Sequence, residues 1–190
     1  MRETEVIIPC RLSYAYIAAP HKNEDGSEGK YSTACLISKD DKATLKKIQG
    51  AIEVAKAKGK SKLANEKGII PKNIKLPLRD GDDVGKPEYD NCYYLNCSSA
   101  TPVPVFDGRK KHIPKEDIAT EIYSGAYANV KVNFYAFKYS GNKGIAVGLQ
   151  GLQKWKDGEN LAGGGATADD FDLLEDDDEN TDTDDFDFCD

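Results

Sequence analysis

Tyr135, Phe137 and Tyr139 recur at every second position of residues 127–139, in phase with Lys131 and Asn133. In a β-strand this spacing puts all five side chains on one face and Val130, Val132, Phe134 and Ala136 on the other. The apolar face suits a core. A water-facing row of three rings beside a cation needs either a covering element of the protein or flat bases stacked upon it. Base stacking contributes about 1–3 kcal/mol per base and tolerates any sequence, because every base has a π-face. The same mixture recurs in Arg11 with Tyr14-Ala15-Tyr16, in Lys30-Tyr31, in Tyr93-Tyr94 and in Lys154-Trp155-Lys156. The chemistry it suits is the binding of a single-stranded nucleic acid. In that reading Arg11, Lys30, Lys131 and Lys138 neutralise phosphates, while Tyr14, Tyr31, Tyr135, Phe137 and Trp155 stack bases.

Charge divides the chain in two. Residues 169–190 hold thirteen Asp or Glu and no Lys or Arg, which leaves 20 acids against 26 bases in residues 1–168. A basic body attracts a polyanion, and a tethered acidic tail competes for the same surface or recruits basic partners. Phe171, Leu173, Leu174, Phe186 and Phe188 punctuate the tail, and a purely solubilising segment has no use for them.

Competing chemistries are weaker. The chain has no phosphate-binding GxxxxGK[ST], no GxGxxG, no HExxH and no GxSxG. Asp80, Asp82, Asp83, Glu88 and Asp90 cluster, but two-metal hydrolysis needs carboxylates that converge on one point, and these lie in a Gly- and Pro-rich stretch. Cys92 and Cys97 are close in sequence without a second Cys or His pair, so zinc is not expected. The five cysteines are odd in number and irregularly spaced, and the charged start MRETE resembles no export signal, which together suggest reduced thiols in a cytosol. No apolar run approaches the roughly 20 residues needed to span a bilayer.

The elements that must position these residues follow from pattern. Residues 6–17 alternate as a strand with Val6, Ile8, Cys10, Leu12, Tyr14 and Tyr16 on one face, and Pro9 argues for an edge or a bulge. Residues 21–30 form a hairpin loop leading to a second strand at 31–38. Asp40 or Asp41 caps a helix reaching about Lys58, with Leu45, Ile48, Ile52 and Ala55 on its buried face. A loop or short extra turn follows Gly59, then an ordered loop at 71–90, strand pieces at 92–98 and 103–106, and a helical turn near Ile118. The strand at 127–139 turns through 139–144 into a partner at 144–152. Five or so strands with one inserted helix and long loops fit a mainly β, five-stranded oligonucleotide-binding barrel, with a β-sandwich as the competing architecture. The expected organisation is a binding domain at 1–160, a Gly-rich linker at 161–168 and a disordered acidic tail at 169–190.

RLSYAYIAAP (11–20), KYSTACLISK (30–39), PLRDGD (77–82), IYSGAYANVKVNFYAF (122–137) and GNKGIAVGLQGLQKWKDGENLAGG (141–164) resemble the phage single-stranded DNA-binding proteins, with the motifs in the same order across most of residues 6–174. The resemblance implies an oligonucleotide-binding barrel that coats single-stranded DNA without sequence preference during phage replication and recombination. The first reading is a non-enzymatic binding protein that needs no metal and no nucleotide cofactor, because its binding energy comes from counterion release and stacking. The resemblance also implies a tail that recruits replication or recombination proteins and occupies the protein's own DNA groove. Here Asp184, Asp185, Phe186, Asp187, Phe188 and Asp190 would form that partner-binding end. The expected location is the cytoplasm of a bacterial host, with no membrane partner and with a homodimer left open. An acidic-tailed adaptor between proteins is the second reading, and a metal-dependent nuclease the third.

Overall fold

The computed structural model describes residues 2–161. Ten elements follow in order: β1 (Glu5–Tyr16), β2 (Tyr31–Ser38), α1 (Lys42–Lys58), α2 (Lys60–Leu63), β3 (Arg79–Asp80), β4 (Cys92–Ser99), β5 (Val105–Phe106), α3 (Ile118–Glu121), β6 (Tyr127–Tyr139) and β7 (Asn142–Lys156). The long strands lie in the order β4-β2-β1-β6-β7, and a parallel pairing of Ser98 with Gly148 joins β4 to β7. That contact closes a five-stranded barrel, the expected oligonucleotide-binding architecture. Two-residue strands lengthen its margins, β3 on β4 and β5 on β7.

Period-two alternation fills the barrel. Val130, Val132, Phe134 and Ala136 are buried along β6, facing Val6, Ile8 and Leu12 of β1 and Ile145, Val147 and Leu149 of β7. Each full side chain of this kind contributes about 1.5–3 kcal/mol on leaving water, which fixes the register of both long hairpin strands. The β6–β7 connection is a two-residue turn at Ser140 and Gly141, both at positive φ, flanked by the pair Tyr139 and Asn142.

On β1 the alternation breaks. Val6, Ile8, Cys10 and Leu12 point inward as expected, but a bulge between Ser13 and Tyr16 buries Ser13 and holds Tyr14 at φ 48°. Tyr14 and Tyr16 are therefore turned to the surface and do not share the core face. Pro9 is explained by its surroundings: it pairs with Asn129 of β6, whereas registered pairing with β2 begins only at Arg11. Its missing N–H thus falls on a locally open edge.

The Asp41 carboxylate accepts the Thr44 backbone N–H at 3.0 Å and caps α1. Leu45, Ile48, Ala51, Ile52 and Ala55 lay the helix on the barrel, mainly against β6 and β1. At Gly59 the chain bends into α2. A Cβ there would overlap the Ala136 methyl, so glycine lets the elbow rest directly on β6.

Candidate nucleic-acid interface

β4 has different neighbours along its length. Arg79 of β3 pairs with Tyr94 near its start, and Gly148 of β7 pairs with Ser98 near its end. Residues 75–80 span the interval between β7 and β4: the Lys75 N–H donates to the Lys143 carbonyl at 3.0 Å, and the Lys75 carbonyl accepts the Ile145 N–H at 2.9 Å. This double contact requires Gly144, because a Cβ at that position would press into the Lys75 carbonyl oxygen and come within 2.8 Å of the Lys75 Cβ.

Over this bridge runs an open groove of about 260 Å³. Lys30, Lys75 and Arg79 bring cations to it, Tyr135 and Phe137 bring rings, and Asn96 and Ser98 bring hydrogen-bonding groups. No carboxylate lines it, and none of the ion pairs among the described residues uses Lys30, Lys75 or Arg79. Tyr135 is 47% exposed, while Phe134 beside it is 1% exposed. Across the ladder, Tyr135 and Phe137 face Ala146 and Gly144, so no large β7 side chain covers their rings. Three unneutralised cations, the exposed ring of Tyr135 beside the half-buried ring of Phe137, and the hydrogen-bonding side chains of Asn96 and Ser98 are the chemistry a single strand requires: charge for phosphates, flat surfaces for bases.

The groove gathers three of the nine residues expected to contact nucleic acid: Lys30, Tyr135 and Phe137. Two more, Arg11 and Trp155, line a separate cleft of about 490 Å³ beside the middle of β1, the start of β6 and the end of β7. There two cations approach the Tyr127 ring, with the Arg11 guanidinium 5.8 Å and the Lys156 ammonium 4.6 Å from its centroid. Trp155 stands edge-on to Tyr127 and is 59% exposed. Arg11 also donates to the carbonyls of Gly125 and Glu159 at 3.3 and 3.1 Å, which ties the segment after β7 back to the barrel. Asp41, Glu88 and Asp90 share this cleft, so its charge is mixed.

Tyr14 lies on a third surface under Lys86, whose ammonium is 4.9 Å from the ring centroid and donates to the phenol oxygen. That bond raises the Lys86 pKa. Lys131 sits on the outer face of β6 and pairs with Glu5 at 3.7 Å, away from the groove. Tyr31 is half-buried opposite Ser99 and has the inward parity of Thr33, Cys35 and Ile37. Lys138 is exposed near the β6–β7 turn, on the ribbon face opposite Phe137. The tail residues Asp184, Asp185, Phe186, Asp187, Phe188 and Asp190 lie outside the described residues.

Within the acidic cluster at 80–90, Asp80 and Asp82 serve the fold. Asp80 and Asp82 grip the Lys39 ammonium, each at 2.6 Å, and Asp82 also accepts the Asn91 N–H at 2.8 Å. Lys39 holds the Asp82 carboxyl below its ordinary range, helped by the Asn91 bond. Cys92 and Cys97 have opposite parity on β4. Cys97 turns inward to lie 3.9 Å from Cys35, sulfur to sulfur, and both buried thiols are pushed well up, each chiefly by its hydrogen bonding to a neighbouring thiol with burial adding to the shift.

Sequence reasoning missed Lys75, Arg79, Asn96 and Ser98. Arg79 had a faint signal, since it stands within PLRDGD; Lys75 had none, because its place depends on a glycine 69 residues further along.

Comparison with known proteins accords with this geometry. A family model described as Enterobacter phage Enc34, ssDNA-binding protein, matches residues 4–186. The putative protein p50 of Acyrthosiphon pisum secondary endosymbiont phage 1 is 29% identical over 168 residues, spanning 86% of this chain and 90% of that protein. The single-stranded DNA-binding protein from bacteriophage Enc34, solved in complex with ssDNA, is 26% identical with a TM-score of 0.73, over 84% of this chain and 90% of that one. The single-stranded DNA-binding protein gp2.5 of bacteriophage T7 has a TM-score of 0.60 at 18% identity, covering 88% and 99% of the two chains, a likeness of fold.

Proposed function

Because the chain belongs to the phage single-stranded DNA-binding family whose model spans residues 4–186, we propose that the carboxylate-free groove over residues 75–80 is where it takes up the strand. Single-stranded DNA binding is a property of this family, and its members are binding proteins, not enzymes. The observation that carries the assignment of the site is the meeting of Lys30, Lys75 and Arg79 with the exposed ring of Tyr135 and the half-buried ring of Phe137. Cations there displace the counterions of the phosphates, and the rings accept bases of any identity, so the binding is sequence-independent. No metal or nucleotide takes part. Titrating the intrinsic Tyr and Trp fluorescence with oligo-dT tests the assignment: quenching reversed by salt and lost in Tyr135→Ala/Phe137→Ala supports it, and full binding by that variant refutes it.

The protein coats single strands during phage replication and recombination in the cytoplasm of the bacterial host. The thirteen acids of residues 169–190 compete with DNA for the body's cations and recruit replication or recombination proteins. Support comes from the charge asymmetry and from the phenylalanines spaced through the acids.

A further inference from the structure

The body's net excess of positive charge is not on its barrel. Residues 42–72, which comprise α1, α2 and the chain after them, hold nine Lys and two Glu. The rest of residues 1–168 then carries 17 bases against 18 acids. The net positive charge of the body therefore comes from the helical insertion, which is fixed to β6 by its apolar face.

The insertion meets the groove at one residue. At the elbow between α1 and α2 lies a second cleft, of about 280 Å³, lined by Arg2, Lys58 and Lys62 and by no carboxylate. Its barrel wall is Asn133 to Ala136 of β6, so Tyr135 lines this cleft and also the groove that holds Lys30, Lys75 and Arg79. The elbow is placed there by Gly59, which alone allows the chain to close on Ala136. Lys62 has no ion-pair partner among the described residues. Lys58 pairs with Glu3 at 2.9 Å, but both side chains are largely exposed, and such pairs are worth about 0–1 kcal/mol, little enough for a phosphate to displace.

Resting on the groove as the DNA site, we propose that the bound strand continues past Tyr135 into the α1–α2 elbow, where Arg2, Lys58 and Lys62 take its phosphates. Tyr135 is then an interior stacking position of a longer track, and the insertion supplies a second subsite for the sugar-phosphate backbone of single-stranded DNA. A short oligonucleotide fills the groove alone; a longer one engages both.

The test uses the full chain and two oligo-dT lengths, about 4–5 and about 16 nucleotides, the span of site sizes for one such barrel. Lys58→Ser/Lys62→Ser removes two cations from exposed positions without touching the core. Lys46→Ser/Lys47→Ser makes the same charge change elsewhere on α1, outside the cleft. The elbow variant should bind the long oligonucleotide with a salt slope shallower by roughly 1.4, from about 0.7 per lost phosphate contact, while its short-oligonucleotide binding matches wild type. Over a fourfold rise in salt, wild type then loses about sevenfold more affinity than the variant. The Lys46/Lys47 variant should behave as wild type on both lengths. Equal losses from the two variants would reduce the effect to net charge and overturn the track. So would no loss from the elbow variant. Tighter DNA binding by the elbow variant would mean that the cleft holds an acidic protein segment, which also overturns it. The groove is judged separately, by whether Lys30→Ser/Arg79→Ser weakens the short oligonucleotide.

Discussion

Tyr135→Ala separates a ring that binds from a ring that packs. Tyr135 is 47% exposed, faces Ala146 across the ladder and leans over Gly148, so removing it opens no cavity in the core. Its loss should change stability by about 1 kcal/mol or less, as for other surface positions. If a base stacks upon it, binding should weaken by about 1–3 kcal/mol, a rise in Kd of roughly 5- to 150-fold. Phe134→Ala is the internal contrast one residue away. That ring is fully enclosed, and its truncation should cost about 3–5 kcal/mol of stability. At about 2–4 °C per kcal/mol for a chain of this size, the melting temperature should fall by roughly 6–20 °C. Both variants would be titrated with oligo-dT by fluorescence and melted by circular dichroism. The reasoning fails if Tyr135→Ala melts early and binds normally.

Three further perturbations follow from the geometry. Gly144→Ala should expel residues 75–80 by breaking the two Lys75–strand hydrogen bonds, costing about 1–3 kcal/mol, and should weaken oligo-dT binding more than Lys75→Ala does; an equal or smaller effect would mean the bridge is not what forms the groove. Asp82 has a folded pKa depressed below 3.8, so the stability it lends the Lys39 clamp is present above 3.8 and lost as pH falls through the folded value; hydrogen exchange at the Asn91 amide should accelerate there in wild type and show no such step in Asp82→Asn. Ending the chain after Gly165 removes all thirteen tail acids, and oligo-dT affinity should rise, most at low salt, where unscreened acids compete best; unchanged low-salt affinity would leave the tail without an inhibitory role.

Local rules carried far along this chain where one face was buried. The register of β6 was legible because Val130, Val132, Phe134 and Ala136 are apolar without interruption, and a one-residue slip would have put Phe134 in water. A cap at Asp40 or Asp41 was legible because the helical apolar period begins just beyond them, and the structure uses Asp41. At Tyr14 the pattern misled: composition continues as a strand, while the bulge after Ser13 depends on β2 across the sheet. Arg11 looked like a phosphate ligand, yet its guanidinium reaches two carbonyls, one of them 148 residues away. The groove itself was only half legible. Its rings lie on one strand, but two of its cations arrive on a bridge held by Gly144 and Tyr94, contacts no local window contains.

The central claim is that Lys30, Lys75 and Arg79 neutralise the phosphates of a single strand. It is tested most directly by the salt dependence of oligo-dT affinity in wild type and in Lys30→Ser/Lys75→Ser/Arg79→Ser. Three lost contacts at about 0.7 each predict a slope of log K against log salt shallower by roughly 2, with an unchanged melting temperature because all three side chains are surface groups. A triple variant that folds normally and keeps the wild-type slope would contradict the account and place the strand elsewhere on the molecule.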